Sequence, residues 1–414
     1  MDGAGRDANS AISPVAATAA ARHVSGRSLE RAFYVDDAIY AADVARIHHR
    51  HWLFVGYGFE IANPGDHMTY AVAGAEIVVV RGQDGKVRAF HNVCRHRGSK
   101  VCLTEHGHGS VLACPYHKWT YRLDGSLMLD TKKEFGVDRS ELGLKPVHLI
   151  DAGGLLFFSL ADNPPDFREA ADTIARKMRP HAIDRAKIAH KIEYVVKANW
   201  KVVLQNNREC YHCTPNHKEY NTAAYDVMRD NAIVDPALQP AMDAIIDQAN
   251  KRFAALGLDT GDASSNMTGK NWRCHRTPVR EGFVTQSMDG KMVSSLMGDI
   301  KEPDSGTLRT TVFPNFWQHT NCDFAAAARL TPMGPGETLV RGYWLVDAKA
   351  VEGKDYTLDR LLPIWDITNR QDWKICEDQQ AGVSSPGYVP GPYSILRERN
   401  VAHFDDWYIG ELRG

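Results

Sequence analysis

The spacing of apolar and polar residues changes character along the chain. Between Trp52 and about Leu160 apolar runs are short and punctuated by turn dipeptides. Ala75–Val80, the Asp84-Gly85 turn and Val87–His91 read as a hairpin, because Asp-Gly suits the tight turns whose twist matches paired strands. Trp119–Leu123, Asp124-Gly125 and Ser126–Met128 repeat the device. Gly153–Ala161 is almost wholly apolar, which predicts a buried strand. Asn163-Pro164-Pro165-Asp166 marks a boundary. Beyond it Phe167–Met178 carries apolar residues at helical spacing, Ile192–Lys197 reads as a strand, and Val202–Cys210 suits a helix ending near Pro215. The chain therefore divides into a mobile tail (1–30), a helical segment packed on the C-terminal domain (31–50), an all-β domain (51–161) and a second domain (162–414). The fold class is α+β.

Bulk properties narrow the function classes. At 414 residues the chain is long enough for two domains. A net charge of −2 gives no basis for binding nucleic acid or an anionic membrane surface. No apolar run approaches the ~18 residues a membrane span needs. The first residues are Ala- and Ser-rich without the continuous apolar core of a secretory signal. Eight cysteines are too few for a disulfide scaffold. Four of them, Cys94, Cys114, Cys210 and Cys213, lie beside histidines, which suits metal binding in a reducing compartment and makes the cytoplasm the expected location.

Two loops between the hairpins hold Cys94-Arg-His96 and Cys114-Pro-Tyr-His117. Each offers one thiolate and one imidazole. A [2Fe–2S] centre with two cysteines on one iron and two histidines on the other needs this set, and so does a Cys₂His₂ zinc site. The pairing of Cys-x-His with Cys-Pro-x-His on hairpin loops, followed by Trp-Thr-Tyr and an Asp-Gly turn, resembles the Rieske iron–sulfur domain. Cys102 has no partner in the second loop and is expected to pack. His106 and His108 are expected to face solvent in a turn.

The segment Asn199–His217 holds Glu209, His212 and His217. On an unbroken helix the two histidines would point about 140° apart; a break at Pro215 lets the second swing back. Two histidines and one carboxylate with open positions is the set that non-haem Fe(II) oxygenases use. Asp372 is the favoured carboxylate. Spacing alone also admits Asp366, Glu377 and Asp378, and equally a solvated acidic helix face. A zinc site built from Cys210, Cys213 and His217 is the competing reading.

A Rieske-like domain followed by Asn206-Asn-Arg-Glu-Cys-Tyr-His-Cys213 and His217 resembles the α subunit of Rieske non-haem iron oxygenases from about residue 35 onward. Val351-Glu-Gly-Lys-Asp-Tyr356, Gln371-Asp-Trp373 and Pro390-Gly-Pro-Tyr393 most resemble the glycine betaine and stachydrine demethylases of the quaternary-ammonium branch. The resemblance implies Cys94, His96, Cys114 and His117 as cluster ligands, and His212, His217 and Asp372 as ligands of a mononuclear Fe(II). Glu209 becomes a link to a cluster histidine of a neighbouring subunit. Some aromatic dioxygenases have an asparagine near the iron where Gln205 stands here. The implied fold is an all-β Rieske domain plus a helix-grip catalytic domain with a curved antiparallel sheet, for which Leu308–Phe313, Asp323–Leu330 and Glu337–Leu345 are strand candidates. The implied assembly is a homotrimer, served by a separate flavin- and ferredoxin-type reductase that carries electrons from NAD(P)H.

The implied reaction uses O2 to hydroxylate an N-methyl group of a betaine-like quaternary amine, with release of formaldehyde. Aromatic faces recognise trimethylammonium groups. The aromatic pool comprises Tyr225, Phe283, Phe313, Phe316, Trp317, Tyr343 and Trp344, of which Phe316, Trp317 and Tyr343 are the first candidates. Two alternatives stand beside this: an oxygenase of the same architecture acting on an aromatic or other small organic acid, and a Rieske electron carrier whose second domain only binds a ligand or partner.

Overall fold

The computed structural model describes residues 13–224, 233–260 and 270–414. The first predicted hairpin lies within a seven-stranded antiparallel sheet in the order β1-β9-β8-β4-β3-β2-β5, whereas the second stands apart, closed by a Tyr121–Leu127 bridge. The strands of the sheet are Leu53–Tyr57 (β1), Asp66–Val72 (β2), Ala75–Arg81 (β3), Val87–His91 (β4), His106–His108 (β5), Pro146–Ala152 (β8) and Leu155–Ser159 (β9). Leu112–Ala113 (β6) and Thr120–Tyr121 (β7) form a separate two-stranded ribbon. His106 and His108 face solvent as expected, but from a short strand beside β2. All five residues of β9 are buried, which accounts for its unbroken apolar sequence.

A six-stranded antiparallel sheet in the order β10-β15-β14-β13-β12-β11 forms the second half. It comprises Lys187–Val196 (β10), Trp272–Thr277 (β11), Thr307–Val312 (β12), Phe316–Thr320 (β13), Ala325–Gly334 (β14) and Glu337–Val346 (β15). Successive side chains in a strand face opposite sides, so this sheet serves two purposes. Phe316, Ala325, Ala327, Tyr343 and Leu345 face the first domain and share a core with Phe54, Tyr57 and Phe157. Trp317 and Trp344 face the opposite way, toward the long helices.

That alternation corrects two of the three substrate candidates. Phe316 packs on Phe54 with ring centroids 4.2 Å apart and planes tilted by 37°, and Tyr343 meets Tyr57 at 5.7 Å. Both are interdomain core. The same seam is hydrogen bonded: the Asn315 side chain accepts from the Phe54 amide at 2.9 Å and donates to its carbonyl at 3.0 Å, and the Tyr57 hydroxyl donates to Gln318 at 2.8 Å. A buried apolar seam with satisfied polar groups holds the two sheets in one relative placement.

Among the helices are Pro14–Arg22 (α1), Arg168–Met178 (α2), Trp200–Asn207 (α3), Lys218–Ala223 (α4), Pro363–Ser384 (α5) and Arg399–Arg413 (α6), and the segment expected to be helical before the β domain holds Ala32–Val35 and Asp37–Asp43. Part of the segment expected to be a tail is α1. Ser13 caps it, and Ala16, Ala19 and Ala20 are buried at i, i+3 and i+4. Arg413 of α6 donates to the Ala20 carbonyl at 2.6 Å. An Ala-rich stretch reads as featureless, yet alanine is the strongest helix former and allows close helix approach. Residues 1–12 of the expected tail lie outside the described residues. From α6, Phe404, Tyr408, Ile409 and Leu412 reach the core around Trp200 of α3. Among the described residues no helix is long and apolar enough to cross a membrane.

Phe316→Ala should cost about 3–5 kcal/mol through a cavity at the interdomain seam. Chemical denaturation checks this, and an unchanged midpoint would mean that Phe316 is not seam core.

Candidate metal centres and their cavity

The two cysteine–histidine loops are built alike. The Cys94 amide bonds the Ser99 carbonyl at 2.8 Å and the Cys114 amide the Trp119 carbonyl at 2.9 Å. Each loop is pinched by a bond back to its cysteine carbonyl, from Gly98 and from Lys118, both at 3.0 Å. These two residues have φ of 79° and 59°, the left-handed turn that reverses the chain. Cys94 and Cys114 are buried, while His117 is exposed and the His96 ring stacks on Trp119 with centroids 4.7 Å apart. The two imidazoles lie 4.6 Å apart.

This arrangement fits a [2Fe–2S] group. Burial would raise the Cys114 thiol, but the Tyr116 amide, the Cys94 side chain and the His117 amide hold it below the ordinary range, while burial raises its neighbour Cys94. The Tyr121 hydroxyl lies 3.2 Å from the Cys94 sulfur and accepts from the Arg95 amide at 3.0 Å. The buried Nδ1 of His96 has no hydrogen-bond partner among the described residues, which leaves it open to a metal. Cys102 is a buried free cysteine packed in the same core.

The second centre begins at α3, capped by Asn199, whose side chain accepts from the Lys201 amide at 3.0 Å. The helix ends at Asn207, before either histidine. The Glu209 carboxylate then accepts from the Tyr211 and His212 amides and touches His212 Nδ1 at 2.6 Å. His212 opens the short helical turn Cys213–Asn216, and His217 closes it. Pro215 lies inside that turn and does not break the helix, contrary to expectation. Its missing N–H costs nothing there, because the first turn has no use for it. The break occurs at Arg208–Tyr211.

Asp372 projects from α5 toward both rings. Its Oδ1 lies 3.1 Å from His212 Nε2 and 2.9 Å from His217 Nε2, and the two rings are nearly perpendicular at 87°. Two donors each ~2.1 Å from a metal and at right angles lie about 3 Å apart, so the three atoms fit one ion. Electrostatics agree. Burial opposes charge on His212, but Asp372 and Glu209 outweigh it and push its pKa up to about 10, so the site favours a positive centre. Of the alternative carboxylates, Asp366 bonds Tyr194 and Arg370, Glu377 accepts from the Lys197 amide, and Asp378 pairs with Lys374.

Cys210 and Cys213 are joined in a disulfide. This corrects the reading of both as thiolate ligands, since a disulfide sulfur is no thiolate, and it removes the zinc alternative. Position 205, where Gln205 departs from the asparagine of some aromatic dioxygenases, has no contact with the centre. Gln205 is buried and turned away, donating to Asp405 at 2.6 Å and accepting from Tyr34 at 3.2 Å. Its neighbour Asn206 has its amide 3.4 Å from His212 Nε2.

A cavity of about 600 Å³ opens over these residues. Of the expected aromatic pool only Trp317 lines it among the described residues; Tyr225 lies outside them. Phe313 packs under Arg208 and against α6, and Trp344 and Phe283 belong to a neighbouring core. The wall instead comes from Tyr220, Trp365 and Trp373, which sequence reading missed. Tyr220 lies 6.3 Å from the His217 ring and 5.6 Å from Trp365. A signal was available: Trp365, Thr368, Asn369 and Asp372 recur at i, i+3, i+4 and i+7, so all share the face of α5 that carries the carboxylate.

Residues 51–134 match the Rieske [2Fe-2S] domain, and residues 183–413 match the catalytic domain of the ring hydroxylating alpha subunit. The chain is 39% identical over 383 residues to the glycine betaine monooxygenase oxygenase subunit of Pseudomonas aeruginosa, covering 92% of this chain and 88% of that one. It is 40% identical to the protein so named from Chromohalobacter salexigens, over 92% and 85% of the two chains. The crystal structure of the quaternary ammonium Rieske monooxygenase CntA with an inhibitor shares the fold, with a TM-score of 0.71 at 22% identity over 95% of this chain and 97% of that one. These matches place this chain in the Rieske-type ring-hydroxylating oxygenase α-subunit family.

Proposed function

We propose that this chain is a terminal oxygenase that hydroxylates an N-methyl group of a betaine-like quaternary amine. The observation that carries the reading is the aromatic wall beside the histidine–carboxylate centre. Tyr220, Trp365 and Trp317 are each at least nine-tenths buried and line the same cavity as His212, His217 and Asp372. A trimethylammonium group makes no ordinary hydrogen bond, and ring faces attract it by roughly 0.5–2 kcal/mol per contact. The named activities of the relatives, on glycine betaine and, more distantly, on choline and carnitine, share that group.

Cys94, His96, Cys114 and His117 would hold the [2Fe–2S] cluster, and His212, His217 and Asp372 would hold one Fe(II), which would supply the activation of O2. Glu209 and the protein around it fix His212 so that Nε2 faces the centre. The aromatic wall orients one N-methyl group toward that centre. Hydroxylation consumes O2, two electrons and two protons and releases water. The N–CH2–OH group then loses its C–N bond to give formaldehyde, a proton and the demethylated amine.

The electrons come from NAD(P)H through a separate flavin- and ferredoxin-type reductase in the cytoplasm. We read the assembly as a homotrimer in which Glu209 also reaches a cluster histidine of the neighbouring subunit. Two features support this: His117 is exposed, and Glu209 lies beside Tyr211, which is 48% exposed. His117 thus lies at a surface, and Glu209, whose side chain is 13% exposed, lies just beneath one.

With a generic reductase, trimethylammonium carboxylates should support oxygen uptake with equimolar formaldehyde, and a neutral aromatic acid should not. Trp365→Ala should raise KM roughly 2- to 30-fold for the amine. Uptake with the aromatic acid alone would reject the aromatic-wall reading. Glu209→Gln should keep both metal centres, by iron analysis and visible absorption, yet lose coupled turnover. Normal product yield per O2 in that variant would remove Glu209 from the electron path.

A further inference from the structure

His212 and His217 must each present Nε2 to the centre, which requires the proton of a neutral ring to sit on Nδ1. For His212 the partner is Glu209. For His217 it is Gln371, the residue just before Asp372 on α5: Gln371 Oε1 lies 2.9 Å from His217 Nδ1. An amide side chain has an oxygen that accepts and a nitrogen that donates, so either end could face the ring. Glu219, two residues after His217 on α4, decides which. Gln371 Nε2 donates to Glu219 Oε2 at 3.2 Å. An ionised carboxylate only accepts, so it claims the amide nitrogen and turns the oxygen to His217. His217 is 1% exposed, so no water can stand in for that partner.

We infer that Glu219 and Gln371 form a relay that fixes the tautomer of His217 and thereby sets the affinity of the mononuclear site. Both are positioning residues, since neither offers an atom to the centre. The relay also makes the two histidines unequal. His212 leans on an anion, which strengthens its donation to a metal, whereas His217 leans on a neutral amide. One helix turn of α5 carries both the third ligand and the partner of the second, so a single rigid element places both. The inference rests on the reading of His212, His217 and Asp372 as iron ligands.

Anaerobic Fe(II) titration of cluster-loaded protein stripped of its mononuclear iron tests it without turnover. Gln371→Leu, which removes the acceptor, should weaken Fe(II) binding about 10-fold or more, whereas Gln371→Glu, which sets an anion on Nδ1 as Glu209 does for His212, should keep it within about threefold of native. Glu219→Leu, which removes the carboxylate that claims the Gln371 nitrogen, should weaken binding about threefold or more when Gln371 is present, and should add nothing to Gln371→Leu or Gln371→Glu, where no amide is left to turn. Cluster absorption and melting temperature in all variants report that the fold is kept. Affinity within about twofold of native in Gln371→Leu, or the same loss from Glu219→Leu whatever residue stands at 371, overturns the relay. Failure of the native protein to bind one further Fe(II), or unchanged binding by His217→Ala, overturns the iron reading instead.

Discussion

The approach of one carboxylate to two imidazoles is the contact on which the molecule depends. Asp372 arrives 160 residues after His212 in sequence, yet its oxygen stands about 3 Å from a nitrogen of each ring. Like a metal ion, that geometry tolerates little error, because a displacement of an ångström removes a ligand. The long helix α5 must therefore be held rigidly against α3 and α4. Its buried residues Trp373, Cys376 and Val383 pack in the core that also holds Trp200, Val202 and Val203 of α3. The Gln380 amide oxygen accepts from the Asn199 amide at 2.9 Å, at the cap of α3 itself.

The sheet beneath supplies the second constraint. Its alternate residues answer to different partners, one face to the cluster domain and one to the cavity. Phe316 and Trp317 are neighbours in sequence, but one fills the interdomain seam and the other lines the site. The seam does more than bury area. Asn315 completes the hydrogen bonding of β1 at Phe54, and Lys191 reaches Glu60 at 2.8 Å. The placement of the cluster loops relative to the catalytic sheet is thus held by packing and by directional bonds together.

Much of this was legible in the sequence where the chemistry is local. Cys94, His96, Cys114 and His117 sit in two short loops whose turn residues announce themselves, and His212, His217 and Glu209 lie within nine residues of one another. Asp372 was reachable only through family resemblance, since its partners are distant and its acidic neighbours look alike. Phe316 and Tyr343 were misplaced because the face of a strand depends on register, and a shift of one residue inverts every side chain. Pro215 misled for a related reason: a proline breaks a helix interior but is tolerated in a first turn. The disulfide of Cys210 with Cys213 was hidden by spacing that serves zinc as readily. Buried alanines in α1 carried no signal, because small residues bury little and pattern weakly.

Anomalous diffraction at the iron edge, on crystals of the reconstituted protein, tests the account most directly. It should show two separate sites per chain: one between the Cys94 and Cys114 loops, resolvable as two irons, and one within bonding distance of His212, His217 and Asp372. Iron at the loops alone, or zinc at the histidine–carboxylate centre of an active preparation, would contradict it.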